Sequence, residues 1–237
     1  MSVQTPSMSN QYIYIGNGVY SLSEVSRLTQ ISHPKLYRWV KGHAYRSDSG
    51  LRRVGPVVDN LYADENGLVV VDFQSLMELR FIDAFRSKGV SMRTIRMAAL
   101  MAREKWGVRN PLVTERFLTD GRSILVDAKD ETGDRHLIDI VSDQIVLRKL
   151  IHQYLQLGIE YESGSPVQWW PLGHSGGVVI DPKRSFGAPV VDREGVPTRV
   201  LHAAVQSGQS IREVASWYQV HPQSVRKATE YERTLAA

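Results

Sequence analysis

The segment SLSEVSRLTQISHPKLYRW, residues 21–39, decides the interpretation of this chain, because its pattern returns near the other end as SIREVASWYQVHPQSVRKA, residues 210–228. Aligned without gaps, the two segments share a serine at the first position, a glutamate at the fourth and a glutamine at the tenth. Each segment predicts a short helix, a tight turn and a second short helix, which is the pattern of a helix-turn-helix. Two such units in one chain favour nucleic-acid binding.

Local chemistry supports both units. Ser21 with Glu24, and Ser210 with Glu213, have the spacing of capping boxes at a helix start. Apolar residues recur at helical spacing within the first helix of each unit: Leu22, Val25 and Leu28, then Ile211, Val214 and Trp217. Gln30 and Gln219 occupy the turn position where glycine is common, because a positive φ suits glycine there. Pro34 and Pro222 suit the first turn of the second helix, where a missing N–H costs little.

The outward faces of the second helices, and the basic stretch that follows the first unit, supply the candidate DNA-binding side chains. Long polar and cationic side chains at such positions reach phosphates and base edges in a major groove. The candidates are Ser32, His33, Lys35, Tyr37, Arg38, Lys41, Arg46, Arg52 and Arg53 in the first half, and Gln223, Ser224, Arg226 and Lys227 in the second. The alternative is that both units are ordinary amphipathic helix pairs with solvated charges.

Composition and charge narrow the class of protein. The 237 residues are 42% hydrophobic and 23% charged, as in ordinary globular proteins, and they include no cysteine. Disulfides, thiolate zinc sites and cysteine nucleophiles are therefore excluded, and a cytoplasmic location is expected. No apolar run predicts a membrane span or a signal peptide. The net charge is +4, yet residues 21–53 alone carry seven basic residues against two acidic ones, which is typical of a phosphate-binding face.

Four regions are expected along the chain: a flexible arm at 1–15, a winged helix-turn-helix at 16–107, a small mixed α/β region at 108–173 and a last domain at 174–237. A hairpin is predicted around the turn at 16–18, and strands at 56–61 and 67–71 would form the wing. Asp72 is expected to cap a helix that runs to residue 88, and Ser91 to cap the next helix, to about residue 105.

The middle region predicts strands and one helix but no reaction chemistry. Alternating residues at 116–128 predict two strands around a turn at 119–121, with a further strand at 136–139, a helix over 142–157 and a buried strand at 167–172. Its aspartates lie mostly at predicted turns, and the histidines lack the spacing of metal ligands, so no catalytic residue, metal or cofactor is expected. An enzyme acting on nucleic acid is the least favoured class.

Two stretches of the first region resemble a known family. YSLSEVSRL at 20–28 with LYRW at 36–39, and LRFIDAFRSKGVSMRTI at 79–95, resemble the winged helix domain of MerR-type regulators. The resemblance covers about residues 19–100 and implies DNA binding through the first helix-turn-helix and its wing. The wing region at 42–71 is longer than in that family, and no long dimerisation helix follows.

The last region resembles a small bacterial domain of the DUF class, number four-thirty-three. VIDPKRSFGAPVV at 179–191, GVPTRVL at 195–201 and the second helix-turn-helix carry the resemblance over about residues 177–231. It implies a β-hairpin shaped by Gly187 and Pro189, a helix opened by Pro197 and Thr198, and three helices in all. Proteins with this domain are similar to VapB-type antitoxins, which inhibit PIN-like ribonuclease toxins and repress their own operons. The overall expectation is an α+β, mainly α fold.

The leading hypothesis is an antitoxin of a type II toxin–antitoxin system that binds double-stranded operator DNA and a PIN-like toxin. It is expected to act as a homodimer or a toxin–antitoxin hetero-oligomer, since two half-sites multiply the specificity of one short helix. The alternative is a stand-alone MerR-like transcriptional regulator that senses a ligand through the middle region. The second helix-turn-helix is nearly balanced in charge, with four basic and three acidic residues between 212 and 233, so it either contacts DNA or supports protein contacts.

Overall fold

The computed structural model describes residues 16–48, 50–59, 62, 68–135, 137 and 158–236. Four predictions concern segments outside these residues and are not tested: the arm at 1–15, the first strand of the hairpin before residue 16, the pairing at 136–139 and the helix over 142–157. Within the described part the fold is α+β and mainly α, as expected, with small antiparallel sheets.

The first helix-turn-helix has the predicted form. Helix α1 spans Leu22–Thr29 and helix α2 spans His33–Lys41. The hydroxyl of Ser21 accepts a hydrogen bond from the amide of Glu24 at 3.2 Å. The described contacts of this helix include only this half of the predicted capping box. Burial raises the pKa of the half-buried Glu24 carboxyl, and Arg27 and Arg199 lie near enough to lower it in part. Gln30 ends α1 with φ at 61°, so the turn has the left-handed backbone that its sequence position predicted.

The wing lies earlier in the chain than predicted. Strands β2 (His43–Ser47) and β3 (Gly50–Val54) form an antiparallel hairpin. The described residues of the first predicted wing strand, 56–59, form no strand, and the strand within 67–71 is present at Val70–Val71 but does not join this hairpin. Val57 and Val58 are buried, and the amide of Val57 bonds the carbonyl of Trp39 at 2.9 Å, so this segment anchors the chain to the core. Strand β4 (Val70–Val71) pairs with strand β1 (Tyr20–Ser21).

Three helices form the centre of the core. Helix α3 spans Phe73–Ser87 and helix α4 spans Met92–Trp106. The predicted caps are confirmed, since Asp72 accepts from the amide of Ser75 at 2.8 Å and Ser91 accepts from the amide of Thr94 at 3.1 Å. Helix α3 contributes most of the largest fully buried side chains of the described chain, and α4 adds Ile95 and three alanines to the same hydrophobic cluster.

Helix α5 spans Glu115–Thr132, so the prediction of strands at 116–128 was wrong. The buried residues of this segment, Phe117, Gly121, Ile124, Leu125 and Ala128, follow helical spacing, and Thr114 caps the helix. Gly121 looked like a turn residue, but it lies inside the helix. A Cβ there would come within 2.9 Å of the Phe117 ring, so packing explains the glycine.

The rest of the described chain forms one sheet and three helices. Strands β5 (Ile159–Glu162), β6 (Ser165–Trp169), β7 (Val178–Ile180) and β8 (Pro189–Val191) make an antiparallel sheet in chain order. The sheet therefore crosses the position, 173/174, at which two regions were expected to meet. Helices α6 (Thr198–Gln206), α7 (Ile211–Trp217) and α8 (Pro222–Ala236) pack beside it around a second buried cluster. Trp217, which belongs to the apolar pattern of α7, is 62% exposed.

Candidate nucleic-acid interface

Helix α2 is amphipathic in a way that presents its basic residues outward. Leu36, Trp39 and Val40 are buried against the core. Every candidate residue predicted on this helix and its cap is exposed: Ser32, His33, Lys35, Tyr37, Arg38 and Lys41. The structure thus brings these six side chains to one surface. A helix of nine residues with one apolar side and one cationic side has the dimensions and charge for a DNA groove.

The β2–β3 hairpin stands directly beside this helix. It begins two residues after Lys41, and Gly42 makes the connection with φ at 75°. A Cβ on Gly42 would lie 2.3 Å from the carbonyl oxygen of Val54, so a side chain is excluded where the hairpin leaves the helix. The predicted residues Arg46, Arg52 and Arg53 lie on this hairpin and are exposed.

Both faces of the hairpin are exposed, which is unusual for a sheet. All residues from His43 to Arg46 and from Gly50 to Arg53 within the described part are exposed, and Leu51 reaches 65%. Cross-strand partners share a face, so Tyr45 lies beside Arg52 and Arg46 beside Leu51. A two-stranded hairpin gains little stability when neither face is buried. The exposed surface of the hairpin can therefore contact another molecule.

A cleft of about 540 Å³ separates α2 and the hairpin base from the corner between α3 and α4. Lys35 and Arg38 line it on one side, and Arg86 and Arg96 line it on the other. Sequence reasoning missed Arg86 and Arg96 as site residues. The available signal was charge, because residues 80–96 hold five basic residues and one acidic residue, but their proximity to α2 depends on helix packing.

In the second helix-turn-helix, two of the four predicted DNA-binding side chains make hydrogen bonds to neighbouring loops of the same chain. The hydroxyl of Ser224 donates to Glu194 at 3.1 Å, and the ammonium of Lys227 donates to the carbonyl of Ser175 at 2.8 Å. Gln223 and Arg226 are exposed. Of the four predicted residues, Ser224 and Lys227 thus hold neighbouring loops, whereas Gln223 and Arg226 face outward.

The C-terminal part of α8 packs on the first helix-turn-helix. Arg27 of α1 donates to the carboxylate of Glu232 at 2.9 Å, and Gln30 donates to the carbonyl of Leu235 at 3.4 Å. Glu232 also accepts from the hydroxyl of Thr198 in α6 at 2.5 Å. One side of this end of α8 is therefore buried against the first helix-turn-helix.

Other kinds of site find little support in the described residues. No three histidine, aspartate or glutamate side chains there lie close enough to hold a metal ion. Across the same ranges, no helix combines the length and apolar content needed to cross a membrane.

Comparisons with known proteins find similarity to a family model, a curated protein and a solved structure. Residues 178–231 match the family described as "Protein of unknown function (DUF433)", as the resemblance of this segment implied. The chain is 26% identical over 226 residues to "Putative antitoxin VapB45" of Mycobacterium tuberculosis (strain ATCC 25618 / H37Rv), covering 90% of this chain and 92% of that protein. The "X-ray crystal structure of Rv2018 from Mycobacterium tuberculosis" shares the fold with a TM-score of 0.65 and 24% identity, covering 88% of this chain and 96% of that one. The likeness of the first region to MerR-type domains stays a prediction.

Proposed function

We propose that this chain is the antitoxin of a type II toxin–antitoxin system, that it represses its own operon by binding operator DNA, and that it neutralises a PIN-like ribonuclease toxin by direct contact. The similarity to a protein described as an antitoxin, which extends over 90% of this chain, carries the proposal. The PIN-like class of the toxin rests on the resemblance of residues 177–231 to VapB-type antitoxins.

The DNA-binding part of the proposal is assigned to α2 and the β2–β3 hairpin. Six cations are presented there, namely Lys35, Arg38, Lys41, Arg46, Arg52 and Arg53. Helix α2 would enter the major groove while the hairpin arginines contact the adjacent backbone, since a winged unit offers both elements on one side. Acidic side chains are few on this surface. Asp83 lies 4.0 Å from Lys35, and Asp48 lies at the hairpin turn.

The toxin-binding part is assigned to the second helix-turn-helix. Two of its candidate DNA contacts, Ser224 and Lys227, are hydrogen-bonded within the chain. Its turn instead exposes two aromatic residues, Trp217 at 62% and Tyr218 at 38%. Exposed aromatic side chains are enriched in protein interfaces. The unit therefore fits a protein partner better than a second DNA groove.

A homodimer is the form in which we expect the chain to bind DNA. One nine-residue helix reads few base pairs, and a two-fold pair of such helices reads two half-sites about one helical turn apart. An operator with inverted repeats at that spacing would agree with this expectation.

The test is purification of the tagged chain from its native host, followed by mass spectrometry of bound proteins and a titration with its own promoter fragment. Recovery of a near-stoichiometric small PIN-like protein, together with specific promoter binding, is the expected result. Specific promoter binding with no protein partner would refute the antitoxin assignment and favour a stand-alone regulator. Failure to bind the promoter would refute the operator part.

A further inference from the structure

The cleft between α2 and the α3–α4 corner is a basic cavity that also exposes some apolar surface. Its cationic side chains come from three helices: Lys35 and Arg38 from α2, Arg86 from α3 and Arg96 from α4. One carboxylate, that of Asp83, also lines it. Trp39, Val54 and Met92 supply apolar surface. A volume of about 540 Å³ falls within the range of small-molecule sites, which are concave and combine apolar walls with a few convergent polar groups.

Arg96 is partly buried and has no counter-charge among the described residues. Its Nε is buried and has no hydrogen-bond partner in the described part of the chain. Its Nη1 makes only a 3.5 Å hydrogen bond to the carbonyl of Met92 on its own helix. Burial also lowers the pKa of the guanidinium. A partly buried cation without a partner is unfavourable, and other cations share its cavity.

The other cations of the cleft leave room for an anion. Arg86 uses one Nη1 donor on the carbonyl of Val90 at 2.5 Å, and Arg38 uses its Nε on the carbonyl of Pro34 at 3.1 Å. Both bonds go to neutral carbonyls, so neither neutralises a charge. The one described ion pair at this site joins Lys35 and Asp83, whose charged atoms lie as far apart as 4.0 Å. The cavity thus combines several guanidinium groups with little compensating negative charge.

We propose that this cleft binds a phosphate ester, with its phosphate group held by Arg38, Arg86 and Arg96 and its organic part against Trp39, Val54 and Met92. Guanidinium groups bind phosphate oxygens through paired, charge-assisted hydrogen bonds, which suits this set of donors. The phosphate has two sources, a free phosphorylated small molecule or a nucleotide of bound DNA. This proposed phosphate site goes beyond the antitoxin proposal. Its binding of a free ligand can be tested in the absence of DNA.

The test is NMR spectroscopy of the arginine Nε–Hε groups in the full chain, with three probes added separately. The probes are inorganic pyrophosphate, a 5′-mononucleotide and a non-specific DNA duplex. We expect the Arg96 signal to shift on addition of pyrophosphate and the mononucleotide if a free ligand is the source. A shift with the duplex alone assigns the source to DNA. No shift of the Arg96 signal with any probe overturns the proposal.

Arg96→Met separates a binding role from a structural one. Without ligand, the variant should keep the wild-type Tm or exceed it, because it removes an unpartnered buried charge and keeps an apolar side chain of similar length. It should lose at least tenfold in affinity for whichever probe shifts the Arg96 signal. Arg93→Gln, on the exposed side of α4, is the matched control and should retain that affinity. A lower Tm with unchanged affinity would show that Arg96 is structural and would overturn the proposal.

The two proposals can fail separately. Pyrophosphate binding without specific promoter binding would leave the phosphate site standing and refute the operator. The reverse result is promoter binding that depends on Arg38 but is unchanged by Arg96→Met, together with no shift of the Arg96 signal with any probe. It would leave the operator proposal standing and refute the phosphate site.

Discussion

Arg27 in the first helix of one helix-turn-helix donates a 2.9 Å hydrogen bond to Glu232 in the last helix of the other. Glu232 is 8% exposed and also accepts from Thr198, so one carboxylate connects helices α1, α6 and α8. The two units are thus joined by a charged contact between residues 205 positions apart. The sequence repeat predicted the two units but not this contact.

Arg27→Ala should destabilise the chain by about 1–3 kcal/mol. The substitution leaves the carboxylate of Glu232 buried with one remaining partner, and an unpaired buried charge is costly, although the partial exposure of Arg27 reduces the loss. Urea denaturation of the full chain measures the effect. Arg233→Ala, which removes an exposed cation from the adjacent position of α8, should change the free energy of unfolding by less than about 0.5 kcal/mol. Equal effects of the two substitutions would contradict the role of the ion pair.

Gln219→Gly should leave stability unchanged or raise it by up to about 1 kcal/mol. Gln219 has φ at 53°, a left-handed conformation that glycine adopts without strain, and the gain is offset in part by the entropy of glycine in the unfolded chain. Gln30→Gly should gain less, because Gln30 donates hydrogen bonds to the carbonyls of Arg27 and Leu235. Thermal denaturation of both variants provides the comparison. A loss at position 219 larger than at position 30 would show that the turn is not strained.

Glu78 should make stability depend on pH between about 4.5 and 7. Burial raises the pKa of this carboxyl from 4.5 to about 7, despite hydrogen bonds from Asn110 and Leu112 and the nearby guanidinium of Arg103. The folded state therefore holds the proton more tightly than the unfolded state. Its contribution to stability is fully present below pH 4.5 and is lost as the pH rises through 7, by at most about 3 kcal/mol.

Glu78→Gln should flatten this pH dependence, since the amide cannot titrate. Urea denaturation at intervals from pH 4.5 to 8 measures the slope. Glu24, whose pKa burial also raises, would account for part of any slope that remains. A variant with the full wild-type slope would exclude Glu78 as its source.

Arg38→Ala should weaken operator binding by about 1–3 kcal/mol. Arg38 is exposed on α2, next to the hairpin, where it would meet a base edge or a phosphate. Fluorescence anisotropy with a labelled promoter fragment measures the affinity. Arg226→Ala, the matched exposed arginine of the second unit, should leave it within about 0.5 kcal/mol of wild type. If Arg226→Ala has the larger effect, the roles that we assign to the two units are reversed.

Operator affinity should fall steeply with salt. If all six cations of α2 and the hairpin reach phosphates, the logarithm of the binding constant should fall with the logarithm of salt concentration with a slope of about −5 per subunit. Removing one of them, as in Arg53→Ala, should reduce that slope by about 1. Titrations between 50 and 300 mM salt give both values, to an accuracy of roughly half a unit. A flat response would argue against a phosphate-binding surface.

Local signals predicted the helix-turn-helix units and the caps of the central helices. Ser21, Asp72, Ser91 and Ser210 each lie just before an apolar helical pattern, and each side chain accepts from the amide three residues on. Each of these contacts spans one helical turn, so the local sequence is enough to predict it.

The errors arose where side-chain packing, both within a helix and between distant elements, overrode a local sequence signal. Gly121 suggested a turn, but the ring of Phe117 requires a glycine there inside a helix. Val57 and Val58 suggested a wing strand, but both are buried next to α2. Arg96 faces Arg38 across the cleft only because α4 packs near α2, and no local pattern predicts that arrangement.

The β2–β3 hairpin has a consequence for how relatives of this chain can diverge. Since its residues are exposed on both faces, exchanging Arg46, Leu51 or Arg53 alters what the hairpin offers to a partner and leaves the packing of the core intact. Selection for folding and selection for recognition therefore act on different positions. Duplicated copies of such a gene could acquire new target preferences by point mutations in this hairpin, one residue at a time, without passing through unstable intermediates.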